Sequence, residues 1–156
     1  MKRLSKLGLT FMICFLMVLI PVKAASYTIS GKALPVYKGA YYGKIEYTAS
    51  LKYDSSTGSV YDAGSFKIDK YSCNTMGGGT SCRMTPTYNG KGITANKAAA
   101  FYRVNVDWYF LSGVGYVYME TEVYDITVSS PGPRTAETGQ LKLIDSYVDP
   151  LKKMND

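Results

Sequence analysis

Histidine is absent from this chain of 156 residues. That removes Ser-His and Cys-His nucleophile pairs and the common imidazole zinc sites. Cysteine is scarce, at three residues, too few for a metal cluster or a disulfide-dense scaffold. No phosphate-cradling loop is present: Gly77-Gly78-Gly79 is not followed by the lysine and helix that such a loop needs. Asp54, Asp62, Asp145 and Asp149 lack the spacing of a calcium loop. No cofactor or metal is expected. Helical periodicity is weak throughout.

Long apolar runs are missing too, with one exception at the start. Lys2, Arg3 and Lys6 precede an apolar run from Leu7 to Ile20, Pro21 ends it, and Val22-Lys23-Ala24 offers a cleavage site. This is the pattern of a secretory leader, so residues 1–24 are expected to be removed and Ala25 to start the mature chain. The run falls short of the ~20 apolar residues of a membrane span. The leader fits a bacterial export substrate, and the product is expected to be secreted, held at a cell wall non-covalently if at all. The organisation expected is a leader at 1–24, one domain at 25–150 and a flexible tail at 151–156.

The leader also distorts the charge. The whole chain carries 18 Lys and Arg against 12 Asp and Glu, but four of those cations lie before residue 25, which leaves +2 for the mature part. The apparent basicity therefore gives no case for a nucleic-acid partner. Cys14 leaves with the leader. Cys73 and Cys82 remain as a pair in an oxidising route and are expected to bridge. Closing that loop is worth ~2.7 kcal/mol by chain entropy.

What the sequence does have is tyrosine, at 15 residues, all beyond the leader. Tyr, Val and Thr suit pleated, half-buried positions. Strict alternation from Tyr41 to Tyr53 sets Ile45, Tyr47, Ala49 and Leu51 on one face and Lys44, Glu46, Thr48 and Ser50 on the other. Asp54 to Gly58 then reads as a turn, and Ser59 to Ser72 as the returning strand, with a bulge or bend near Ala63-Gly64. Tyr27–Lys32 reads as an edge strand, Arg83–Tyr88 as a strand ending in a turn at Asn89–Gly92, and Gln140–Val148 as a last strand. Pro131 and Pro133 place a loop across 129–139.

Residues 98–128 form the clearest hairpin. Ala98, Ala100, Tyr102, Val104, Val106, Trp108 and Phe110 alternate with polar residues. A register in which paired residue numbers sum to 225 joins the apolar faces. It sets Arg103 opposite Glu122, Phe101 opposite Tyr124 and Tyr109 opposite Tyr116, and it puts a bulge near Asp125. About seven strands in one domain predict an all-β fold. A two-sheet antiparallel β-sandwich is preferred, with a barrel as second choice.

On that register one outer face carries Phe101, Tyr109, Tyr116, Tyr118 and Tyr124 beside Arg103, Asn105, Asp107, Glu120 and Glu122. Flat rings, amides and carboxylates suit a sugar or a protein partner. Cover by a second sheet, the tail or the 129–139 loop is the structural alternative. The expected role is a non-enzymatic binding module for an unidentified protein or glycan at a cell surface. Two other roles compete with it. One is a carbohydrate-active enzyme built on Glu120 or Glu122 with Asp107, since glycosidases need only two carboxyl groups. The other is a toxin or inhibitor acting through the 73–82 loop.

Overall fold

The structure is a computed structural model that describes residues 24–75, 82–131 and 140–153. The expected leader up to residue 23, the loop tip 76–81 and most of the 129–139 loop lie outside those residues. Eight strands are found among the described residues: β1 (Ala24–Ala33), β2 (Val36–Tyr37), β3 (Tyr41–Asp54), β4 (Val60–Thr75), β5 (Cys82–Ile93), β6 (Ala99–Ser112), β7 (Gly115–Ser129) and β8 (Gln140–Tyr147). One helical turn, α1 (Pro150–Lys153), follows them.

Every pairing is antiparallel, and the strands form two sheets. In the first, β3 is flanked by β1 and β2 along one edge and by β4 along the other. The second runs β5-β6-β7-β8. One core joins them, with Ile45, Tyr47, Ala49 and Leu51 from β3 packed with Tyr102, Val104, Val106 and Trp108 from β6 and Ile126 and Val128 from β7. The alternation read in β3 and β6 is the alternation of burial. Two sheets around one core are consistent with a β-sandwich.

Phe66 ties the layers together. Its ring stacks on Tyr47 at 5.4 Å and on Tyr102 at 5.0 Å, and Tyr88 closes the cluster at 5.4 Å. The Cys73–Cys82 bridge forms across a Cα separation of 5.7 Å, within the ordinary range. It links the end of β4 in one sheet to the start of β5 in the other.

Bulges decide which side chains face where. The expected irregularity at Ala63-Gly64 is present: Ala49 pairs with Phe66 but Leu51 with Ala63, so Gly64 and Ser65 together face Ser50. A Cβ at Gly64 would run into Ser50, so only glycine fits that approach. The expected turn at Asn89–Gly92 is not a turn. β5 continues to Ile93 past a one-residue bulge at Asn89, and the chain reverses between Thr94 and Ala98. β8 carries a further bulge at Ile144, because Tyr124 pairs with Leu143 and Val123 with Asp145.

The β6–β7 register differs from the expected one. Near the turn Tyr109 pairs with Tyr118 and Leu111 with Tyr116; beyond it Trp108 pairs with Glu120 and Arg103 with Asp125. Met119 is the extra residue. The phase shift thus lies six residues earlier than the expected one near Asp125. Downstream of Met119 the even-numbered residues of β7 turn into the core.

Candidate functional site

The Met119 bulge splits the expected aromatic face in two. Phe101, Arg103, Asn105, Asp107 and Tyr109 share the outer face of the second sheet with Tyr116 and Tyr118, which precede the bulge. Glu120, Glu122 and Tyr124 follow it and lie on the inner side. The three acids of the enzyme reading are therefore not gathered: Asp107 is on one face, and Glu120 and Glu122 are on the other.

Glu122 is a core residue, 7% exposed. Its Oε2 accepts the indole N–H of Trp108 at 2.8 Å and the hydroxyl of Tyr124. Burial, with Glu122 as second cause, holds the Tyr124 phenol well above its ordinary range. Glu120 sits one residue pair nearer the end of the sheets. It accepts the Tyr37 hydroxyl at 2.9 Å, and Lys38 Nζ stands 3.6 Å away. Hydrogen bonds from Ser146 and then Tyr37 hold its carboxyl below the usual glutamate range. Tyr37 is itself buried, with its ring stacked on Trp108 at 5.5 Å. Both glutamates thus tie the β2 turn, Trp108 and Tyr124 into one network. Glu122 pairs across the strand with Val106, and the expected partner of Arg103 is replaced by Asp125, which takes two parallel hydrogen bonds at 2.9 Å.

On the outer face the tail covers part of the expected surface. Tyr118 is 4% exposed and Asp107 6%. Asp149 caps α1 by accepting the Leu151 amide at 2.9 Å, and its own N–H donates to the Tyr118 hydroxyl at 3.0 Å. Lys152 Nζ then reaches Asp107 Oδ2 at 2.5 Å, and Thr121 donates to the other oxygen at 2.6 Å. Asp149 and Lys152 thus hold the start of the tail to the sheet, while Leu151 between them is exposed.

What stays accessible is a strip along β6. Phe101 is half-buried over Gly92, where a Cβ would come within 2.5 Å of the ring. Arg103 lies across the Phe101 ring, 5.7 Å from its centre. Asn105 accepts from the Asn89 side chain at 3.1 Å. Tyr109 meets Tyr118 edge to face at 5.7 Å, with the Arg83 guanidinium 5.5 Å over its ring. Tyr116 lies nearest the hairpin tip and is 41% exposed. Phe101, Arg103, Asn105 and Tyr109 each have a neighbour that limits their motion, so that part of the strip is ordered before any ligand arrives.

No known protein family, curated protein or solved structure matches this chain. The site must be judged on its own chemistry. Among the described residues no group of acids and cysteines is placed to hold a metal ion, and no helix is long and apolar enough to cross a membrane. Sequence reasoning missed the Tyr37–Glu120 bond and the Asp107–Lys152 contact. The first joins residues 83 apart in the chain and the second residues 45 apart, and neither follows from local alternation.

Proposed function

We propose that the chain is a secreted, non-enzymatic β-sandwich module that binds a protein or glycan at a cell surface through the strip Phe101–Arg103–Asn105–Tyr109. The observation that carries this reading is the half-exposed aromatic and polar side chains on one sheet face, each held by a partner. Flat rings flanked by an amide and a guanidinium offer stacking area and hydrogen bonds at low entropic cost. The leader pattern and the Cys73–Cys82 bridge support export. The acids have structural work that favours binding over turnover: Glu122 holds Trp108 and Tyr124, and Asp107 holds Lys152.

The test is binding of the oxidised protein to a glycan array and to cell-surface extracts. Phe101→Ala and Tyr109→Ala should each weaken saturable binding by about tenfold, the equivalent of one lost stacking contact of ~1.4 kcal/mol, with the far-ultraviolet spectrum of the sheets retained. Full binding by both variants would remove the strip from consideration. Hydrolysis of any bound glycan that stops in Glu120→Gln would favour the enzyme reading instead.

A further inference from the structure

We propose that the tip of the β6–β7 hairpin is a lipid-contacting spike, which seats the module on a membrane surface. This goes beyond the binding strip: it shares Tyr109 with it, but its tip residues Leu111 and Val114 lie outside the strip, and the lipid contact can fail without it.

The stretch from Trp108 to Met119 contains no charged residue. Its turn puts Val114 at the apex, 94% exposed, behind the closing pair Ser112–Gly115. Leu111 and Tyr116 form the next pair on the outer face, exposed by 40% and 41%. The following outer pair is Tyr109 with Tyr118, and Arg83 pairs with Tyr109 on its other side. At about 3.3 Å per residue, the order from the apex inwards is an aliphatic side chain, then Leu with Tyr about two residues back, then Tyr with a guanidinium two further. This sequence of layers matches a bilayer surface, in which acyl chains give way to the interface favoured by tyrosine and then to phosphates. Arg83 lies over the Tyr109 ring, where a long cationic side chain can reach a headgroup.

A further feature suits insertion into lipid. Part of the turn's hydrogen bonding is closed within the tip: Ser112 Oγ donates to the Gly115 carbonyl at 3.0 Å and accepts the Val114 amide at 3.3 Å. Backbone groups entering a region without water need such partners. Gly115 adopts φ of +132°, which an L side chain rarely takes, and this lets the turn close tightly. The opposite end of the sheets is unlike this one, with turns made of Asp54, Ser55, Ser56 and Thr57 and of Thr94, Ala95, Asn96 and Lys97.

The experiment is sedimentation of the oxidised mature protein, starting at Ala25, with vesicles of phosphatidylcholine containing about one-third phosphatidylglycerol. The expected result is saturable partitioning that Val114→Asp and Leu111→Asp each reduce by about tenfold or more. Tyr61→Ser, at the other end of the sheets, should leave it unchanged. All variants should retain the near-ultraviolet signal of Trp108. Absence of vesicle binding overturns the proposal, as does vesicle binding indifferent to Val114→Asp. Capture by surface extracts that depends on Phe101 and Tyr109 but not on Val114, with no vesicle binding, overturns the lipid contact and leaves the binding strip standing.

Discussion

Replacing Glu122 by alanine should damage the fold far more than replacing it by glutamine. One carboxylate oxygen, in a side chain 7% exposed, receives both the Trp108 N–H and the Tyr124 O–H. Alanine strands both donors where water does not reach. Each buried orphan costs about 1–3 kcal/mol, so the pair should lose about 3–5 kcal/mol, a large share of the about 5–15 kcal/mol that holds a typical domain. Glutamine keeps a carbonyl oxygen at the same place with two lone pairs, and should lose only about 1 kcal/mol. Urea unfolding followed by fluorescence measures both values cleanly, because Trp108 is the sole tryptophan and is itself one of the donors. With a slope near 2 kcal/mol/M, the alanine midpoint should fall by about 1.5–2.5 M and the glutamine midpoint by about 0.5 M. Equal losses in the two variants, or an alanine loss under about 1 kcal/mol, would refute the argument that Glu122 is retained for its acceptor oxygen.

Three other outcomes follow from the same structure. The Glu120 carboxyl is held below its ordinary range in the folded state, first by Ser146 and then by Tyr37. Its contribution to stability is therefore complete above the unfolded glutamate value and disappears as pH falls through the lowered folded value. Unfolding midpoints measured from neutral to acid pH should decline less steeply in Glu120→Gln, and parallel curves would show that the group is not coupled to folding. Among the described residues the buried Tyr47 hydroxyl has no hydrogen-bond partner, so Tyr47→Phe should raise stability by about 1 kcal/mol; a loss of that size in a thermal melt would mean the hydroxyl is bonded. Reducing Cys73–Cys82 should cost about 2.7 kcal/mol, seen as a lower urea midpoint with thiol reagent, and an unchanged midpoint would show that the closed loop adds nothing.

Alternation carried much of this fold in plain view. Tyr41 to Tyr53 and Ala100 to Trp108 face the core on every second residue, as the sequence predicts, because each strand has one wet side and one dry side; Ala98, expected to start the second run, is instead exposed in the turn before β6. The glycine at position 64 likewise marked its bulge. The site was harder to read, and β7 shows why. Glu120 and Glu122 look like outward residues, so an alternation argument keeps them beside Tyr118 and pushes the phase shift on to Asp125. Their inward placement depends on donors from elsewhere, namely Tyr37, Trp108 and Tyr124, and no local pattern announces those bonds. The turn expected at Asn89–Gly92 failed for a related reason. Gly92 is needed there to make room for the Phe101 ring, not to reverse the chain.

The bulge at Ile144 bears on how copies of this protein behave when they are close together. β8 is the outermost strand of its sheet, and Leu143, Ile144 and Tyr147 are all well exposed on it. A straight apolar border of that kind is a template on which an identical border can grow, the first step towards a fibril. The doubled residue interrupts the row of amides and carbonyls, and Lys142 and Asp145 stand on either side of the break. An approaching copy meets a kinked border flanked by charge and finds no long register to extend. Along β8, then, the fold guards against edge-to-edge growth.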